Sequence, residues 1–73
     1  MKMKAQVGDY ILCRVRGTDG DWNKEPVKVE GIDGDPADLP TVGYVMADGS
    51  LIPDYEISLD DVLLESEAEE FYG

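Results

Sequence analysis

Residues 7–16 read VGDYILCRVR, and their alternation puts Asp9, Ile11, Cys13 and Val15 on one face and Tyr10, Leu12, Arg14 and Arg16 on the other. A period of two over that length specifies a strand with Ile11, Cys13 and Val15 turned inward and Arg14 and Arg16 in solvent. Residues 26–32 (PVKVEGI) repeat the pattern, with Val27 and Val29 inward, Lys28 and Glu30 outward, Pro26 at a first strand position and Gly31 as the place for a bulge or bend. Residues 41–47 (TVGYVMA) are apolar on both faces and belong in the middle of a sheet. Asp48-Gly49 is a hairpin signal favouring a type I′ turn into residues 50–52, after which Pro53 and Asp54 break the strand. Residues 55–59 (YEISL) resume the alternation and supply a fifth strand. Turn chemistry fills the intervals: residues 17–25 (GTDGDWNKE) are expected as a loop containing Trp22, and residues 33–40 (DGDPADLP) as an acidic connection.

Five short strands in 73 residues predict an all-β fold, a small partly closed barrel with few exposed edges. Over residues 7–64 the opening VGDYIL, the long first loop, the tight Asp-Gly hairpin and a short helical turn near the end resemble SH3-like barrels, with an OB-like barrel as the alternative. Ser58 followed by Asp61 has capping-box spacing, and Asp60 and Asp61 suit the positive end of a helix. One or two helical turns are therefore expected over residues 59–65, packing Leu59, Val62 and Leu63. Residues 1–65 form one domain in this reading, and residues 66–73, with Phe71 and Tyr72 near the end, an acidic tail that is disordered or frayed.

A domain this small must use nearly all of its apolar residues as core. The single cysteine, Cys13, excludes an internal disulfide, and without histidine a zinc site is not expected; a reducing, cytoplasmic setting fits. No signal peptide follows Lys2 and Lys4, and the apolar runs are too short to span a membrane.

Charge is distributed unevenly. Residues 29–73 contain thirteen carboxylates and no basic residue, whereas all six Lys and Arg lie before them with four acids, giving halves of about −13 and +2 and a net charge of −11. That exceeds the magnitude of about 2 to 8 that serves solubility in a small domain. Anionic membranes and nucleic acid are therefore not expected as direct partners, since phosphates need Lys and Arg to neutralise them. A basic protein surface is the complementary partner, and many such surfaces bind nucleic acid. In size and charge the chain resembles the DNA-mimic antirestriction and anti-CRISPR proteins of phages and mobile elements. That resemblance implies a cytoplasmic inhibitor, monomeric or weakly dimeric, that acts in an infected bacterial host as part of anti-defence. The expected contact residues are Asp33, Asp35, Asp38, Asp48, Asp54, Glu56, Asp60 and Asp61, converging on one side, with Trp22 as an aromatic anchor. A structural or adaptor module that binds through Trp22 is the alternative.

Three further patterns carry less. Asp19, Asp21, Asn23 and Glu30 match positions 1, 3, 5 and 12 of a calcium loop, but Lys24 occupies the glycine position, so no metal or other cofactor is expected. Tyr10, Arg14, Arg16, Trp22, Lys24 and Lys28 would gather on one side of the first hairpin, an arrangement that small barrels use for single strands. Against this, Arg14 is expected to pair with Glu30, and Trp22 to fold over the barrel end. Catalysis is not expected, because Cys13, Ser50, Ser58 and Ser66 have no histidine to activate them.

Overall fold

A computed structural model describes residues 3–72 of the chain. Five strands, β1 (Tyr10–Arg16), β2 (Trp22–Asp33), β3 (Gly43–Met46), β4 (Leu51–Pro53) and β5 (Val62–Leu63), pair antiparallel in the order β4-β3-β2-β1-β5. One short helix, α1 (Glu65–Tyr72), ends the chain, and single 3-10 turns occupy Leu39–Thr41, Asp54–Glu56 and Leu59–Asp61. The sheet is not closed by pairing between β4 and β5.

β2 serves two ladders, pairing with β1 over its first part and with β3 over its second. Ile11 lies opposite Val27, and Val29 opposite Met46, but after a register shift between Val29 and Gly31 it is Ile32 that faces Tyr44. The bulge predicted at Gly31 thus keeps Val27, Val29 and Ile32 on the inner face while the strand bends. Ala5, Ile11, Val29, Tyr44, Met46 and Ile57 form the buried cluster, with Met3, Cys13, Val27, Ile32, Ile52 and Val62 packed around it. Each large apolar side chain fully buried here contributes about 1.5–3 kcal/mol.

Several elements differ from their sequence expectation. β2 starts at Trp22, so the first loop shrinks to Gly17–Asp21, and Pro26 is buried in mid-strand. Proline is tolerated there because Val29 exchanges hydrogen bonds with Gly8 and Asp9 while the Lys28 carbonyl faces Ala47, so alternation turns the Pro26 nitrogen away from β1. The Asp48-Gly49 turn is not type I′: Gly49 alone has positive φ (89°), its N–H donates to Met46 O, and Met46 N–H donates to Ser50 O. This is a type I turn followed by a glycine bulge. Residues 55–59 are not a strand, because Tyr55 and Leu59 are exposed and only Ile57 turns inward. The fifth strand is instead Val62–Leu63, inside the segment expected to be helical.

The expected disordered or frayed tail forms α1. Its first turn is capped by Glu67, which accepts from Leu64 N–H at 3.0 Å, and Ala68 is 2% exposed. The buried Ala68 helps to anchor the helix. Gly73 lies outside the described residues.

Candidate functional site

The topology separates the expected acidic residues into three places. Asp33 ends β2, Asp35 and Asp38 lie on the connection to β3, and the 3-10 turn that closes this connection packs against the turn carrying Glu56. All four are exposed at one end of the molecule. Asp35 accepts from Ala37 N–H, which holds the connection in a tight acidic turn. Gly34 makes that connection possible: its φ is 91°, and a Cβ there would meet Thr41 O at 2.6 Å.

Asp48, Asp60 and Asp61 occupy the waist. Asp48 accepts from both the Ser50 N–H (2.9 Å) and the Ser50 hydroxyl (2.6 Å), and these bonds hold its carboxyl below the usual carboxylate range. Ser58 caps the Leu59–Asp61 turn by accepting from Asp60 N–H, so the cap predicted at Ser58 is present, with Asp60 as its donor. The Asp61 carboxylate is instead 3.6 Å from Lys24 Nζ, the only salt bridge among the described residues. Burial pushes the half-buried Cys13 thiol up, and the negative charges of Asp48 and Asp61 push it further. A thiol held protonated in this way is a poor nucleophile.

Asp54 belongs to neither group. It is 7% exposed, and its Oδ1 accepts from the Tyr44 hydroxyl (2.5 Å) and from Lys4 N–H (3.1 Å). The Lys4 ammonium donates to Asp54 O, and Ala5 N–H donates to Tyr44 Oη. Asp54 is thus corrected from a partner contact to a buried tie between the N-terminal segment, β3 and the turn after β4. The clue was available: a tyrosine in the most buried strand needs a partner for its hydroxyl. Burial, followed by the bond to Asp54, pushes the Tyr44 phenol up from its ordinary value of 10.0.

The basic and aromatic residues do assemble. In the β1–β2 register Tyr10 faces Lys28, Arg14 faces Lys24 and Arg16 faces Trp22, and directly opposed residues of an antiparallel pair share one side of the sheet. This strip is on the outer side, opposite the inward Ile11 and Val27. Arg14 therefore does not pair with Glu30, which is corrected by the register. Trp22 does not fold over the barrel end: it is 59% exposed, with the Arg16 guanidinium 5.6 Å from its ring centroid.

Beyond Ile11, β1 is paired only with β2, since β5 reaches no further, and β2 meets β3 only from Val29 onward. Residues 12–16 and 22–26 therefore form a two-stranded ribbon that projects from the sheet, consistent with overall extents of 40 × 25 × 18 Å. The calcium-like pattern is dispersed by the same geometry. Asn23 and Glu30 lie seven residues apart on β2, about 23 Å in an extended strand, too far to close on one ion.

No helix among the described residues is long and apolar enough to cross a membrane. No family model, curated protein or solved structure matches the chain.

Proposed function

We propose that the protein works by binding, presenting its exposed carboxylates to a basic, nucleic-acid-binding surface of a partner protein, as an inhibitor that mimics DNA would. The observation that carries this reading is that Asp33, Asp35, Asp38, Asp48, Glu56 and Asp60 are all exposed in a chain of net charge −11, with one ion pair among the described residues. At physiological salt the Debye length is about 8 Å, so only acids close together act on one partner site. The group at Asp33, Asp35, Asp38 and Glu56 is the principal contact in this reading, and Asp48 and Asp60 are subsidiary. The meander order, the bulged β2 and the 3-10 turns ahead of β5 support an SH3-like, partly closed barrel over an OB-like one as the scaffold.

The test uses the full chain immobilised against a bacterial lysate and eluted by a salt gradient, followed by competition of the eluted protein between this chain and double-stranded DNA. Wild type should displace the DNA. A variant with Asp35→Asn, Asp38→Asn and Glu56→Gln should fold normally but associate about tenfold or more slower, with a flatter salt dependence. Equal competition by the variant at low salt would refute charge mimicry. The exposed Trp22 beside Arg16 favours a second reading, an adaptor that docks through the ribbon, and Trp22→Ala rather than the acid variant would then abolish capture.

A further inference from the structure

We infer that the outer face of the β1–β2 ribbon is a docking site for the acidic end of a second copy of this chain, so that copies associate head to tail. The ribbon places Arg14, Arg16 and Lys24 on one side with Trp22 exposed at its end, and Lys28 follows on the same side beyond the buried Pro26, so four of the six basic residues of an otherwise acidic chain lie along this face. Carboxylate is an anion this strip already accepts, since Asp61 of the same chain sits 3.6 Å from Lys24. Arg14, directly opposite Lys24, has no such salt bridge among the described residues, so the strip there carries an excess of positive charge.

The complementary surface lies at the other end of the molecule. β2 runs from Trp22 in the ribbon to Asp33, and in extended form its twelve residues cover most of the 40 Å long dimension. At that far end stand Asp33, Asp35, Asp38 and Glu56, with the exposed ring of Tyr55 beside them. The two surfaces are complementary in charge, each offers an exposed aromatic ring, and they are too far apart on one chain to meet intramolecularly.

Nucleic acid fits the strip less well. Asp19 and Asp21 form the ribbon tip next to Trp22, and a phosphate chain following the strip would have to pass them, whereas a compact group of carboxylates would not. Contact between unlike patches on the two copies is heterologous and does not close on itself by necessity, so short open chains are the expected product. Net repulsion between copies of charge −11 opposes the contact at low salt. At about 0.15 M salt the repulsion between whole molecules is screened over a Debye length of about 8 Å, while pairs in direct contact are screened less. Association should therefore peak at intermediate salt, and this holds whether or not an external basic partner exists.

The experiment is sedimentation velocity on the full chain over a range of concentrations and salts. The expected result is an average mass that rises with concentration near 0.15 M salt and falls towards the monomer at both about 0.01 M and about 1 M. Two variants divide the interface: Arg14→Gln with Arg16→Gln on the ribbon, and Asp35→Asn with Asp38→Asn at the acidic end, each checked for native circular dichroism. Each alone should be monomeric, with self-affinity about tenfold or more weaker than wild type. Mixed, they should form a one-to-one dimer and nothing larger, because only one competent ribbon and one competent acidic end are present. Should either variant lose its fold, Trp22→Ala and Glu56→Gln take the same two roles with smaller expected losses. A wild type that is monomeric at every salt, a mixture that does not dimerise, or association that survives in the ribbon variant would overturn the proposal. So would quenching of Trp22 fluorescence by oligothymidylate that the ribbon variant abolishes, which would make the strip a single-strand site. The ribbon variant retains the acidic end, so its binding to an external basic protein separates failure of this inference from failure of the mimic.

Discussion

Tyr44 is fully buried and gives its hydroxyl proton to a carboxylate that also receives a backbone N–H, whereas Trp22 is 59% exposed and has a guanidinium against its ring. Both aromatics sit on strands, yet their surroundings are built on opposite terms. Around Tyr44 three segments distant in sequence are tied by four hydrogen bonds, and no buried side-chain polar atom among the described residues lacks a partner. Around Trp22 only two strands meet, and their outer face is charged. A two-stranded ribbon is at best marginally stable by itself, so the ribbon takes its order from the body to which it is attached. The body therefore carries stability and the ribbon presents charge and aromatic surface. That division can be broken, or sharpened, by substitution.

The largest effect is expected at Tyr44. Tyr44→Ala removes a fully buried ring, strands the Ala5 N–H and leaves the Asp54 carboxylate with the Lys4 N–H alone, a loss of about 3–5 kcal/mol against the roughly 5–15 kcal/mol that holds a small domain folded. Chemical denaturation should register most of that loss, and a variant with unchanged midpoint would refute the division. Gly34→Ala comes next, because the added Cβ meets Thr41 O at 2.6 Å in a backbone conformation that L residues rarely adopt. A cost of about 1–3 kcal/mol is expected, with the acidic end displaced as the connection shifts. Truncation after Leu64 removes α1, with its cap and the buried Ala68, and should lower stability by about 1–2 kcal/mol. An unchanged melting temperature would return the segment to the status of a tail.

Tyr44 also gives the division a pH signature. Its folded-state value is raised above 10.0, first by burial and then by the bond to Asp54, so the folded chain keeps its phenol proton where the unfolded chain has lost it. Stability from this source is fully present below pH 10.0 and declines as pH rises from there through the raised value. Tyr44→Phe removes this titrating group and should flatten the alkaline limb while lowering stability at neutral pH. An alkaline limb of the same steepness in Tyr44→Phe would place the effect on another group.

Much of this architecture was legible because period-two patterning acts locally. The strand over residues 10–16, the inward Val27 and Val29, the interior position of β3 and the bulge at Gly31 followed from apolar patterning and glycine placement alone, although β1 begins at Tyr10 and not at Val7. What local pattern could not reach was set by distant partners. Asp54 looks like any acid after a strand-breaking proline until Tyr44 and Lys4 meet it across the fold. Val62 and Leu63 look like one side of a helix until β1 offers them a ladder, which also displaced residues 55–59 from the role of fifth strand. Trp22 reads as a loop residue because its neighbours Asp21 and Asn23 favour turns, yet pairing with Arg16 extends β2 to include it. The acidic residues were visible as a charge count, but their separation into an end and a waist needed the topology.

The smallest expected effect on stability is at Trp22, and it is the one that isolates recognition from folding. The indole is mostly in solvent, it belongs to no part of the buried cluster, and the Arg16 guanidinium lies over its ring. An exposed cation–aromatic contact is worth about 0.5–1 kcal/mol, and some of that returns as Arg16 regains its freedom and hydration. Trp22→Ala should therefore shift the denaturation midpoint by no more than about 0.5 kcal/mol. Association through the ribbon should nevertheless weaken by about tenfold or more, because exposed Trp beside Arg is the residue pair in which interface energy concentrates. A loss of stability comparable to that of Tyr44→Ala would mean that Trp22 is part of the core and that the ribbon is not a presenting surface. Unchanged stability with unchanged self-association would leave Arg14 and Lys24 to carry the contact through charge alone.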